Sequence, residues 1–261
     1  MARRGLTLIE LLIVLGAISL LAALSFPALL RVRNQAQGTV CTQNLKSLSL
    51  AWLLYKDDND DRLVGGRVGE FLYDWVQGPT GVGTIIDRRK EGIRLGALFR
   101  YVRDVDVYRC PADRRRTDGG QIAFRSYSIA GGANGAGWQN TYISAAKYAD
   151  ILQPASKYVF VEEADPRGWN RDSWVLNPQG QSWVDPLAIW HSRNKSTLAY
   201  ADGHVEMHHW VDNSTVEMSR KQEFLYPVPP DEGEDLKYMV GAFPQKMVEL
   251  PQASRAGRLP Y

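Results

Sequence analysis

Residues 6–56 read LTLIELLIVLGAISLLAALSFPALLRVRNQAQGTVCTQNLKSLSLAWLLYK, and this stretch decides the fold. From Leu11 to Leu30 it carries no charged side chain. About 20 residues rising roughly 1.5 Å each reach the ~30 Å of a bilayer's hydrocarbon core. The expectation is a membrane-spanning helix over residues 6–30. Beyond Arg31, Val32, Ala36, Val40 and then Leu45, Leu48, Trp52 and Tyr55 recur at spacings of three and four, the stripe of an amphipathic helix. The helix is therefore expected to continue over 31–57, weakened at Gly38 and bent at Pro27, whose ring removes a backbone donor. It should end at the short acidic side chains Asp57–Asp61. The predicted class is α+β: one long amino-terminal helix packed on an antiparallel sheet with extended loops.

The residues before the apolar run set its orientation. Arg3 and Arg4 precede it, and positive charge stays on the cytoplasmic side, so residues 58–225 should form an extracytoplasmic domain. Glu10 is costly inside an apolar helix and calls for a partner. Ala23-Leu24-Ser25 before Phe26 offers small residues that an ordinary signal peptidase accepts, but Glu10 interrupts the apolar region such a signal uses.

The basic leader 1–5 ending in Gly5, followed by Leu6-Thr7-Leu8-Ile9-Glu10, resembles the class III signal of type IV prepilins and type II secretion pseudopilins. The resemblance covers about the first fifty residues. It implies cleavage by prepilin peptidase between Gly5 and Leu6 and N-methylation of Leu6. Glu10 becomes the glutamate that acts in assembly, and Pro27 the helix-kinking proline of many members. Leu6 stands where Phe or Met is usual. The implied partners are prepilin peptidase, other pilin or pseudopilin subunits, an inner-membrane assembly platform and the lipid bilayer. The physics agrees: cleavage creates an amine at Leu6, and Glu10 of one subunit can pair with the amine of a neighbour.

In the remaining chain, Phe71–Val76 and Lys157–Glu163 read as strands and Leu95–Tyr101 as a short helix. Ser196–Ala201 and His204–Trp210 form a hairpin around Asp202-Gly203, the pair that a type I′ turn uses. Gly131–Gly137 is a loop outside any phosphate-binding pattern. From Tyr226 to Tyr261 prolines thicken and periodicity fades, which predicts an extended tail. Cys41 and Cys110 would both lie outside the cytoplasm, where disulfides persist. A bridge would close about seventy residues and contribute roughly 4 kcal/mol; two separate thiols are the alternative.

Cys41-Thr42-Gln43-Asn44-Leu45-Lys46, the Cys110-Pro111 pair, and His191 followed by Asp202-Gly203-His204-Val205 are similar to a group of prepilin-type proteins named for a histidine, nine residues and Asp-Gly. Here ten residues separate His191 from Asp202. That resemblance implies a family for the rest of the chain but no activity.

Other chemistry finds little support. Net charge is +2 with both signs interspersed, which gives no nucleic-acid face. His204, Glu206 and His208 share one face of a strand and are weak zinc candidates. The Asp57–Asp61 run invites calcium but lacks the glycine turn and distal glutamate of an EF-hand, so no cofactor is expected. Glu162 and Glu163 fall on opposite strand faces and cannot cooperate, and no serine sits in a glycine elbow; an enzyme is not expected. Trp138, Trp169, Trp174 and Trp183 fall in loop-like segments. They are core residues or, on the alternative reading of a membrane-tethered module that never polymerises, a surface for sugar or peptide.

Overall fold

A computed structural model describes residues 7–116 and 120–246. Helix α1 runs without interruption from Leu8 to Asp58, 51 residues, through Pro27. Thr7 and Glu10 close a capping box at its start, and Asn59 caps its end. Asp60 and Asp61 then take positive φ, which short acidic side chains tolerate and which turns the chain away.

Among the described residues no helix is long and apolar enough to cross a membrane. This corrects the membrane-spanning segment expected over 6–30.

The rest of the domain is α+β. Strands β1 (Gly65–Val68) and β2 (Asp74–Val76) form a small parallel pair. Helices α2 (Ile85–Arg94) and α3 (Phe99–Val102) follow. Strands β3 (Tyr127–Ile129), β4 (Tyr158–Glu162), β5 (Lys195–Tyr200) and β6 (Val205–His209) form an antiparallel meander in that order. Helices α4 (Asn213–Lys221) and α5 (Glu234–Gly241) close the fold.

The four-stranded sheet is the middle layer. On one face lie Cys41, Leu45, Leu48, Trp52 and Tyr55 of α1, with Phe160, Ala199 and Ala201 beneath them. On the other lie Tyr158, Val161, Leu198 and Tyr200, covered by Met218 of α4 and Leu236 and Met239 of α5. The β4–β5 register shifts between Tyr158 and Phe160. The extra residue lets Tyr158 and Phe160 serve different cores although they are two apart, as a bulge permits. Apolar on both faces, β4 is accordingly a continuous run rather than an alternating one.

Three other expectations change. The stripe of α1 is buried only from Gly38 onward; Val32, Ala36 and Val40 are exposed, because the domain ends beneath the Cys41 turn. The β5–β6 connection is not a type I′ turn, which needs positive φ at both central residues. Only Gly203 has it, at +88°, and Tyr200 pairs with His204 across a three-residue loop. Finally, residues 226–246 are no extended tail. Asp212 and Asp235 accept backbone N–H bonds at each other's helix starts, at 2.8–3.1 Å, and this lashes α5 to α4. Phe243 then fills the second core. Residues 247–261 lie outside the described residues.

Candidate functional site

Two features stand out on α1, one outside the domain and one inside it. Between Leu8 and Val32 every described side chain is exposed. Its consecutive residues Leu11, Leu12, Ile13, Val14 and Leu15 are each at least 48% exposed. Steps of about 100° per residue spread these five around the whole circumference, so the apolar surface is a sleeve rather than a stripe. Surface of that kind marks an interaction site.

Glu10 sits at the end of the sleeve. Its Oε2 accepts the Thr7 backbone N–H at 2.8 Å and the Thr7 hydroxyl at 2.7 Å, and its own N–H donates to Thr7 Oγ1 at 3.4 Å. The Thr7 backbone bond and then the hydroxyl hold its carboxyl below the usual range. Within one chain Glu10 is thus a capping residue with an ionised group facing out. Gly5 and Leu6, the expected processing site, lie outside the described residues.

The second feature lies beneath the Cys41 turn. Cys41 on α1, Cys110 in the loop after the 3₁₀ turn Asp106–Tyr108, Glu162 at the end of β4 and His191 in the turn before β5 place their ligating atoms within 4.8 Å of one another, all buried. Glu162 Oε1 lies 2.7 Å from Cys41 Sγ and 3.1 Å from His191 Nε2, which is 3.6 Å from Cys110 Sγ. Thr197 N–H donates to Glu162 Oε2 at 2.9 Å. The Tyr127 and Thr197 hydroxyls lie 3.0 and 2.9 Å from Cys41 Sγ, and the Ala112 N–H donates to Cys110 Sγ at 3.4 Å.

Burial pushes both thiols up and so keeps them protonated. Burial also opposes charge on His191 and Glu162, but it is outweighed. Hydrogen bonds that His191 donates to Cys110 and Glu162, together with the Glu162 charge, push His191 up to about 10, and His191 in turn holds Glu162 low. Without a bound cation the site is an imidazolium–carboxylate pair flanked by two thiols.

The segments singled out in the sequence converge here. Asn44 donates to the Arg109 carbonyl at 3.0 Å, Gln37 to that of Pro111 at 3.1 Å and Lys46 to that of Gly203 at 2.6 Å. Cys41 and Cys110 do meet, as free thiols rather than a bridge. Gly38 lies close by: a Cβ there would lie 3.2 Å from Met207 Cε and 3.7 Å from His191 Nδ1.

The sequence-level zinc candidates serve otherwise. His204 Nδ1 bonds Asp202 at 2.6 Å and stacks on Tyr200. Glu206 accepts the hydroxyls of Tyr200 and Tyr238, and His208 stacks on Tyr238. In the acidic run, Asp58 accepts from the Tyr101 hydroxyl and Asp61 from the Ala149 N–H. Trp174 and Trp183 are fully buried in the second core, while Trp138 and Trp169 are half-buried.

Sequence reasoning missed Glu162 and His191 as a pair. The signal was present: a carboxylate ending the apolar run Tyr158–Val161 is expected to be buried, and a buried carboxylate demands a partner. No protein-family model, curated protein or solved structure matches this chain, so its own geometry carries the functional reading.

Proposed function

We propose that this chain is a structural subunit of a type IV pilus-like or type II secretion pseudopilus filament, assembled by packing the free half of α1 among the same helices of neighbouring copies. The observation that carries this reading is the apolar sleeve. A stripe would be satisfied by one partner surface, whereas exposed Leu11–Leu15 require cover on every side. A bundle of like helices provides that cover, and a domain docked only from Gly38 onward leaves room for it.

Glu10 supports the same reading. Its carboxylate sits where a neighbour's amine can reach it, provided prepilin peptidase cleaves after Gly5 and frees the Leu6 nitrogen. In a bundle that excludes water each charge stabilises the other, and the pair fixes the axial register of adjacent subunits. The folded domain then rides on the filament surface, on the extracytoplasmic side.

The test is the intact mass and amino-terminal sequence of the protein from its native cells. A chain beginning at N-methylated Leu6 is expected. A start at Phe26, or an uncut leader, refutes processing and removes the amine on which the assembly argument depends.

A further inference from the structure

We propose that Cys41, Cys110, Glu162 and His191 form a closed tetrahedral site for one divalent transition-metal ion of the zinc class, which pins α1 to the sheet.

The argument begins with convergence. Four elements separated in the chain each contribute one ligating group to a volume 4.8 Å across, and all four groups are buried. Zinc bonds of about 2.3 Å to sulfur and 2.0–2.2 Å to nitrogen or oxygen place tetrahedral ligands roughly 3.3–3.8 Å apart. Cys110 Sγ and His191 Nε2 are 3.6 Å apart, and His191 Nε2 and Glu162 Oε1 are 3.1 Å apart. Cys41 Sγ and Glu162 Oε1, at 2.7 Å, must separate by under an ångström, and a pair at the 4.8 Å limit of the group must close by about as much. Two sulfurs with one imidazole and one carboxylate select a borderline-soft ion over calcium or magnesium.

The surroundings match a thiolate pair better than a thiol pair. The Tyr127 and Thr197 hydroxyls converge on Cys41 Sγ, and the Ala112 N–H points at Cys110 Sγ. A thiolate accepts all such bonds, and outer donors of this kind orient metal ligands. His191 Nε2 meanwhile faces both Glu162 and Cys110, and one N–H cannot donate well to two acceptors. A cation at the common centre satisfies all four groups together. Four protein ligands and no open position make the site structural rather than catalytic. A groove of about 790 Å³ runs between α1 and the turn at His191, which alone of the four ligands lines it. When the metal enters, the two thiol protons and the proton on His191 Nε2 leave.

This inference is independent of filament assembly. It also excludes the alternative use of the same sulfurs, since a Cys41–Cys110 disulfide removes both thiolates.

The experiment uses the full chain purified without chelator or metal affinity resin. Elemental analysis for zinc, iron, copper, nickel and cobalt comes first. The protein is then stripped of metal and titrated with Co²⁺. About one zinc per chain is expected, with intense tetrahedral cobalt bands and a thiolate-to-cobalt charge-transfer band after exchange. Cys110→Ser and His191→Gln should lose at least tenfold in cobalt affinity, and His204→Gln should lose none. Should a variant fail to fold, alkylation of the parent chain decides instead: both cysteines are protected in the metal-loaded protein and become reactive on chelation. A reduced, folded chain that takes up no cobalt overturns the proposal. So does a native chain two hydrogens lighter, with the cysteines bridged.

Discussion

The docking of α1 is tested by a pair of leucines on its two faces. Leu45 is fully buried against the sheet, whereas Leu50, five residues on, is 56% exposed. Leu45→Ala removes three carbons from the core, each worth about 0.8 kcal/mol of transfer free energy. The residual cavity adds to this, for a loss of about 3–4 kcal/mol, inside the 2–5 kcal/mol range of such truncations. Leu50→Ala removes the same atoms from water and should stay within about 0.5 kcal/mol. The assay is equilibrium urea unfolding of the full chain in mild detergent, followed by tryptophan fluorescence, because Trp52 sits on the same face between Leu48 and Tyr55. With a slope of roughly 2–3 kcal/mol/M, Leu45→Ala should lower the midpoint by about 1–2 M and Leu50→Ala barely at all. Equal midpoints for the two variants, or a larger loss for Leu50→Ala, would refute the docked face.

Three other outcomes follow from particular residues. Glu10→Gln keeps a side chain able to complete the capping box but removes the charge; it should leave helix content unchanged by circular dichroism and impair filament incorporation, and normal incorporation would sink the charge-pairing argument. Gly203→Ala places a Cβ at φ +88° and 2.8 Å from Leu53 Cδ1; the leucine tip can yield but the backbone cannot, so a loss of about 1–2 kcal/mol is expected in the same urea assay. Burial pushes Asp185 up to about 7, so the folded chain keeps a proton that the unfolded chain releases near pH 4. Stability from this group therefore falls as pH rises from about 4 to about 7. Asp185→Asn, whose amide oxygen can still accept the Val175 N–H, should unfold with a smaller pH dependence over that window; an unchanged slope would show that the carboxyl titrates normally.

What the sequence disclosed was whatever repeats locally. Leu45, Leu48, Trp52 and Tyr55 follow the helical period, and all four are buried. Glu162 and Glu163 alternate as strand residues should, one toward Cys41 and the other toward Ser128. The buried tetrad had no such spacing. Its members stand at positions 41, 110, 162 and 191, one to an element, and only the meander and the docked helix bring them together. Of the four histidines crowded between His191 and His209, His191 joins the tetrad, whereas His204 bonds Asp202 and stacks on Tyr200 and His208 stacks on Tyr238. Helix α5 escaped notice because its apolar residues Leu236, Met239 and Val240 mark little more than one turn, and its start is fixed from afar by Asp212. The extent of the stripe was misjudged for a related reason: periodicity shows which face of α1 is apolar but not where the domain beneath it ends.

The continuity of α1 has a mechanical side. Fifty-one residues make a rod of about 76 Å, and its seated portion, from Gly38 to Tyr55, runs some 26 Å along the domain. A pull on the tip is carried down this rod without a hinge loop to absorb it. The load falls at once on every contact of the seated length, on the carbonyls that hold Gln37, Asn44 and Lys46, and on Cys41 at its edge. A joint loaded in that way does not peel residue by residue. It holds until the whole seat yields, so the tensile strength of the joint is set by the far end of the helix from the one being pulled.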